Sequence, residues 1–186
     1  SAGWSRMTWD GATALLSTTS ANSNEYAVPS GYEEVADTVT SAGGTLNLSV
    51  YMDTSDGVKD LLASAEGRSQ AVEQIVNELT ITYKTLGRNP YDGVTIDFEG
   101  LAGSTNQANF TAFLQALSQQ LQAKNLRLAV AVMPATADGA YYNGYDYRAI
   151  GDLADKVILM AHDYQPSKLT GYTGTTYYKN AALTPF

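Results

Sequence analysis

The chain contains 186 residues, of which 44% are hydrophobic and 16% are charged. This apolar content can bury a substantial core, so we predict a single globular domain over residues 1–186. The net charge of -8 at pH 7 argues against binding nucleic acid or anionic membranes through bulk electrostatics. No apolar stretch approaches the length of a membrane span, and the absence of cysteine excludes a disulfide framework and thiolate metal sites.

Patterns typical of strands and helices alternate along the chain. A capping box at Ser30 and Glu33 predicts the start of the first helix, and the glycines at 43–44 predict its end. The polar segment before residue 72 is predicted to be a loop. The predicted strands cover residues 3–8, 46–52, 94–99, 126–133 and 157–161, and the predicted helices lie around residues 31–42, 72–86, 110–121 and 147–153.

This alternation predicts right-handed βαβ units and a parallel sheet, either doubly wound and open or closed into a barrel. Both architectures place functional loops at the carboxyl ends of the strands. No Gly-rich phosphate-binding fingerprint follows the first strand and no P-loop is present, which disfavours the nucleotide-binding folds. Polar side chains at the strand ends favour the barrel.

The strand over residues 94–99 carries the clearest chemical signal. Its apolar and polar side chains alternate, so Thr95, Asp97 and Glu99 share one face of the strand. Two carboxylates so placed resist ionising together. If the site is enclosed, one of them keeps its proton near neutral pH, and such a carboxyl can act as a general acid.

Residues 92–99, DGVTIDFE, resemble the DGxDxDxE signature of glycoside hydrolase family 18, the chitinases and related N-acetylglucosaminidases, which lies on the fourth strand of a TIM barrel. Residues 159–164, LMAHDY, are similar to the MxYD segment of the family's sixth strand, and residues 129–134 to its fifth. The sequence around Glu99 most resembles the bacterial branch of spore-cortex and cell-wall-lytic enzymes.

The resemblance implies a substrate-assisted retaining mechanism, in which the N-acetyl oxygen of the sugar attacks the anomeric carbon. Glu99 would then be the general acid and base, and Asp97 would orient the acetamido group. Thr95 stands where the family has its middle Asp, so a neutral hydrogen bond must replace that charge. His162 stands where the family usually has Tyr, and it can titrate between roughly pH 5 and 8.

The remaining candidates have weaker support. Asp92 and Gly93 are predicted to be structural, because Asp92 lies on the face opposite Glu99 and can cap a turn. We predict no cofactor and no metal, since His162 is the only histidine. The predicted substrate-binding residues are Asp163, His162, Tyr51, Met133, Thr95 and Tyr164.

Only five strands are predicted, whereas an eight-unit barrel typically needs about 250 residues. Aligning the acidic strand as the fourth leaves the first, seventh and eighth units missing, and predicts weak or no hydrolysis by this chain alone. The strands at 3–8 and 157–161 would then be unpaired edges prone to self-association. Alternatively, residues 12–17 or 172–179 supply further strands that close the sheet.

Three functions remain open at this point. The first is a glycosidase that cleaves N-acetylglucosamine-containing polymers, either chitin or peptidoglycan. The second is a non-catalytic carbohydrate-binding barrel, and the third is a scaffold in a larger envelope protein. The same resemblance predicts an extracellular, cell-wall or spore location, although the first residues show no signal-peptide pattern.

Overall fold

The computed structural model describes residues 3–17, 26–27, 31–134 and 143–161. Within these ranges the elements are β1 (Gly3–Trp9), β2 (Ala14–Leu16), β3 (Tyr26–Ala27), α1 (Tyr32–Ser41), β4 (Asn47–Met52), a 3-10 helix (Thr54–Asp56), α2 (Val58–Ala63), α3 (Ala65–Thr80), β5 (Gly93–Phe98), α4 (Ser104–Ala123), β6 (Arg127–Val132), α5 (Tyr147–Leu153) and β7 (Lys156–Leu159). None of the helices in these ranges combines the length and hydropathy that a membrane crossing requires.

Parallel strands form the centre of the sheet, in the order β1, β4, β5, β6 and β7. The short strands β2 and β3 pair antiparallel with the outer edge of β1. In this register Arg6, Tyr51 and Asp97 stand opposite one another on β1, β4 and β5. Because side chains alternate along a strand, these three leave the sheet on the same face.

The apolar core lies between the sheet and the helices. The predicted apolar face of β5 is fully buried. Phe98 stacks on Phe113 of α4 with ring centroids 5.3 Å apart, and its ring centroid lies 6.0 Å from that of Phe110. This contact confirms that β5 packs its apolar side against a helix. The predicted stripe of α4 is also buried throughout: Phe110, Phe113, Leu114, Leu117 and Leu121.

Two aspartates fasten the amino-terminal edge of the sheet. Asp92 precedes β5, and its Oδ2 accepts the N–H of Leu46 at 2.8 Å while its own N–H donates to the Leu46 carbonyl at 2.7 Å. Asp155 makes the same pair of bonds with Leu128, both at 2.8 Å, just before β7. Next to Asp92, a Cβ at Gly93 would lie 2.1 Å from the carbonyl oxygen of Arg127, so no side chain fits there.

The prediction of a loop before residue 72 was wrong, because this segment contains the 3-10 helix, α2 and the first turns of α3. Single polar residues start two of these helices: Asp53 caps the 3-10 helix, and the Ser64 hydroxyl accepts the N–H of Gly67 at 3.0 Å to cap α3. A polar composition therefore concealed helix caps.

The predicted ends of two helices also needed correction. The third helix, α3, ends at Thr80 rather than near residue 86, and the Asn89 side chain donates to the carbonyl of Ile81 just past this end. The first helix has Gly31, at φ 84°, as its N-cap. The expected cap, Ser30, lies outside the described residues.

The prediction that the strand at residues 3–8 has an unpaired edge was wrong, since β2 and β3 pair with β1 there. The Asp10 carboxylate accepts the N–H groups of Ala12 and Thr13 at 2.9 and 2.7 Å, and this turn brings β2 back onto β1. β2 falls within the segment 12–17 that was expected to add a strand, while residues 172–179 lie outside the described residues.

The predicted burial of the last strand was wrong as well. Val157, Ile158 and Leu159 of β7 are 44%, 39% and 39% exposed. β7 is the last strand of the described sheet, and in the described ranges only β6 pairs with it. Self-association through this edge stays a prediction.

Candidate active site

A groove of about 410 Å³ lies on the sheet face opposite the apolar core. Asp97 and Thr95 of β5 line it together with polar and apolar side chains from the neighbouring strands. The other lining residues are Thr45, Asn47, Ser49, Ala129, Ala131, Lys156, Ile158 and Met160. The alternation of β5 therefore separates an apolar face, packed on helices, from a polar face that lines a cavity.

Thr95 is nearly buried and takes part in a neutral hydrogen bond. The Nδ2 group of Asn47 donates to Thr95 Oγ1 at 3.3 Å and to the carbonyl of Val94 at 3.4 Å. A carbonyl oxygen can only accept, which fixes the orientation of the Asn47 amide. Asn47 therefore holds the Thr95 hydroxyl oxygen beneath Asp97, at the position where the family signature has a carboxylate.

Glu99 follows β5 directly and remains attached to β4. Its N–H donates to the carbonyl of Met52 at 2.8 Å, so the pairing of the two strands continues one residue beyond their ends. Glu99 is partly buried, and its negative charge contributes to raising the pKa of Tyr51 and of Tyr145. Glu99 therefore lies at the carboxyl end of the sheet, beyond Asp97.

Tyr145, which sequence reasoning missed, fixes the end of β5 from the helix side. Its ring is buried, and its hydroxyl donates to the carbonyl of Phe98 at 2.6 Å. Burial, followed by the charges of Glu99 and Asp97, raises the pKa of Tyr145 above its usual range. Tyr145 therefore remains a neutral donor that anchors the residue before Glu99.

A second polar cluster lies beside Glu99, between the middle of β1 and the end of β4. Arg6 Nε donates to Asp56 Oδ1 at 2.6 Å, and the guanidinium carbon lies 5.5 Å from the ring centroid of Tyr51. The Tyr51 hydroxyl donates to Asp53 Oδ2 at 2.9 Å. Arg6, Asp53 and Asp56 were not predicted from the sequence, although Asp53 follows β4 just as Glu99 follows β5.

Two pKa shifts define the charges in this cluster. Hydrogen bonds from Ser55 and Tyr51 and the nearby Arg6 outweigh partial burial and lower the pKa of Asp53 to about 2. Burial, the bond to Asp53 and the charge of Glu99 raise the pKa of Tyr51 above its usual range. Near neutral pH, Asp53 is therefore ionised and Tyr51 is neutral.

The other predicted site residues divide into two groups. Met133 packs against the apolar core, and its carbonyl accepts the hydroxyl of Tyr147 at 2.8 Å. His162, Asp163 and Tyr164 lie outside the described residues. Across the ranges that the structure covers, no group of three or more His, Asp or Glu side chains is arranged to hold a metal ion.

A model of the glycosyl hydrolases family 18 matches residues 19–183, which is most of the chain. The chain belongs to this family. A Bacillus subtilis (strain 168) protein whose name describes it as a sporulation-specific glycosylase, YdhD, is 33% identical over 111 residues, covering 55% of this chain and 26% of YdhD. The cortical fragment-lytic enzyme of the same organism is 28% identical over 104 residues, covering 54% of this chain and 22% of that enzyme.

Solved structures of family 18 proteins share the fold. The YdhD crystal structure superposes with a TM-score of 0.64 at 25% identity, covering 87% of this chain and 48% of that one. A chitinase from Chromobacterium violaceum ATCC 12472 gives a TM-score of 0.61 at 22% identity, covering 87% of this chain and 47% of the chitinase. The fold is therefore the predicted α/β fold of TIM-barrel type, as a partial barrel, and the chain spans about half the length of these solved relatives.

Proposed function

We propose that this family 18 chain is the catalytic part of a glycoside hydrolase that cleaves β-1,4 bonds in N-acetylglucosamine-containing polymers. The observation that carries the proposal is the geometry of β5, which directs Asp97 into the groove and places Glu99 at the strand end beside Tyr51. Family membership supports the reaction class. The substrate and the mechanism are our inference.

In the proposed reaction Glu99 protonates the glycosidic oxygen as the bond to the anomeric carbon breaks. The N-acetyl oxygen of the sugar attacks the anomeric carbon and forms an oxazolinium ion, which the Asp97 carboxylate orients and stabilises. Glu99, now ionised, removes a proton from water as the water attacks the same carbon. The two inversions retain the configuration, and no enzyme carboxylate bonds to the sugar.

Two further roles belong to the proposal. Thr95, held by Asn47, supports Asp97 with a neutral group instead of a carboxylate. On the family resemblance, sugar contacts are also assigned to His162, Asp163 and Tyr164. The names of the Bacillus relatives favour cell-wall or spore-cortex peptidoglycan as the polymer and a cell-wall or spore location, while the chitinase favours chitin.

The decisive experiment compares release of reducing ends from chitooligosaccharides and from purified peptidoglycan by the full-length natural protein. Turnover that disappears in Glu99→Gln, with sugar binding retained, is the expected result. Binding without turnover by the unaltered protein would instead establish a carbohydrate-binding barrel. Neither binding nor turnover would leave only the scaffold function.

A further inference from the structure

A carboxylate on the neighbouring strand faces the proposed general acid. Met52 and Phe98 are register partners, and the N–H of Glu99 donates to the Met52 carbonyl at 2.8 Å. Asp53, the residue after Met52, is therefore the next register position and stands opposite Glu99, the residue after Phe98. Alternation from the partners Tyr51 and Asp97 directs both carboxylates to the groove face.

The contacts of Asp53 hold it in its ionised form. Its Oδ1 accepts the N–H and the hydroxyl of Ser55 at 2.7 and 2.6 Å, and its Oδ2 accepts the Tyr51 hydroxyl at 2.9 Å. Three donors on one carboxylate stabilise the negative charge, in keeping with a pKa of about 2.

Arg6 neutralises only part of this cluster. Its guanidinium lies 2.6 Å from Asp56 but 3.8 Å from Asp53, so the closer ion pair is with Asp56. Among the described residues, this cation is shared between two carboxylates, and the negative charge of Asp53 is the less compensated of the two. This charge lies one strand away from Glu99, whereas the residue below Asp97 on β5 itself, Thr95, is neutral.

We propose that Asp53 is a positioning residue whose fixed negative charge keeps Glu99 protonated, ready to donate to the glycosidic oxygen. The proposal rests on the proposed function, since a retained proton matters only if Glu99 is the acid. Like charges disfavour a second ionisation, so Asp53 and Asp97 favour protonated Glu99, whereas Arg6 opposes them. Among the described residues, the charged and titratable groups of this cluster include Arg6, Tyr51, Asp53, Asp56, Asp97 and Tyr145.

The test measures the titration of Glu99 directly, by carbon-13 NMR of its side-chain carboxyl in the full-length natural protein, with Glu99→Gln identifying the signal. Asp53→Asn keeps an oxygen that can cap the 3-10 helix but removes the charge. We expect the pKa of Glu99 to fall by roughly one unit in this variant, as for loss of a like charge at this range in a partly solvated site. Asp53→Glu, which restores the charge, should return the pKa to within a few tenths of a unit of its original value.

Asp10→Asn is the matched control, because Asp10 is another carboxylate with a lowered pKa that accepts backbone N–H groups, on the exposed turn after β1. It should leave the Glu99 titration unchanged. An unchanged Glu99 titration in folded Asp53→Asn, or an equal shift in Asp53→Glu, would overturn the proposal. This measurement needs no turnover, so a shifted titration in a protein without hydrolytic activity would refute the proposed function alone.

Discussion

Carboxylates occupy both edges of the parallel sheet, but their partners differ. At the amino-terminal edge, Asp92 and Asp155 each accept a backbone N–H and fasten the start of a neighbouring strand. At the carboxyl-terminal edge, Asp97 lines a groove, and Glu99 lies beside the ionised Asp53. The same residue type is thus bound to backbone amides at one edge and placed among other carboxylates at the other.

This difference shows how carboxylates that stabilise the fold can be distinguished from carboxylates that could take part in catalysis. A carboxylate whose oxygen accepts a backbone amide holds the start of a neighbouring strand in place. Carboxylates gathered at one strand end repel one another, and one of them can keep a proton near neutral pH. Substitutions at the carboxyl-terminal edge should therefore change turnover, and substitutions at the amino-terminal edge should change stability.

Glu99→Gln should lower turnover of the full-length natural protein by about 10²–10⁴-fold, because the amide cannot donate the catalytic proton. The thermal midpoint should stay close to that of the unaltered protein, since Gln preserves the shape of the side chain. Steady-state kinetics on a chitooligosaccharide, with calorimetric unfolding as the folding test, measure both quantities. Asp10→Asn serves as the control and should retain full activity. A Glu99→Gln protein that turns over normally would mean that the acid lies elsewhere.

Asp97→Asn should also lower turnover, by about 10²-fold, because a neutral amide stabilises a developing positive charge less well than a carboxylate does. The loss should appear in kcat more than in KM if Asp97 acts on the oxazolinium ion. A change confined to KM would instead make Asp97 a substrate-binding residue only.

Asp92→Ala should reduce the free energy of unfolding by about 1–2 kcal/mol, because the N–H of buried Leu46 loses its acceptor. Activity measured well below the unfolding temperature should be unchanged. Asp92→Asn keeps an acceptor oxygen and should retain most of the stability. If Asp92→Ala lost activity at full stability, the claim that the aspartates of the amino-terminal edge only stabilise the fold would be wrong.

The sequence predicted the features that depend on periodicity. The alternation of β5 and the apolar stripe of α4 are local patterns, and both lie where they were predicted. The family resemblance supplied the TIM-type fold and is confirmed by the family match. Periodicity needs no knowledge of distant partners, which is why these predictions succeeded.

Features that depend on pairing across the sheet were missed. Arg6, Tyr51 and Asp97 become neighbours only through the register of three strands that lie far apart in the sequence. Asp53 was not predicted as a site residue, since nothing local shows that Glu99 stands opposite it. The exposure of β7 likewise depends on what surrounds the edge of the sheet rather than on its own apolar sequence.

Asp53 combines the two kinds of carboxylate, because it caps a 3-10 helix and also faces Glu99. Its pKa in the folded chain, about 2, lies below its ordinary value of 3.8. The resulting stabilisation is therefore present above pH 4 and is lost as the pH falls towards 2. After allowance for the partial exposure of Asp53, we expect the free energy of unfolding of Asp53→Asn to be about 1 kcal/mol below that of the unaltered protein at pH 6. This difference should shrink towards zero near pH 2. Urea unfolding of both proteins at pH 6, 4 and 2.5 measures this; a difference that stays constant with pH would show that the cap, and not the charge, stabilises the fold.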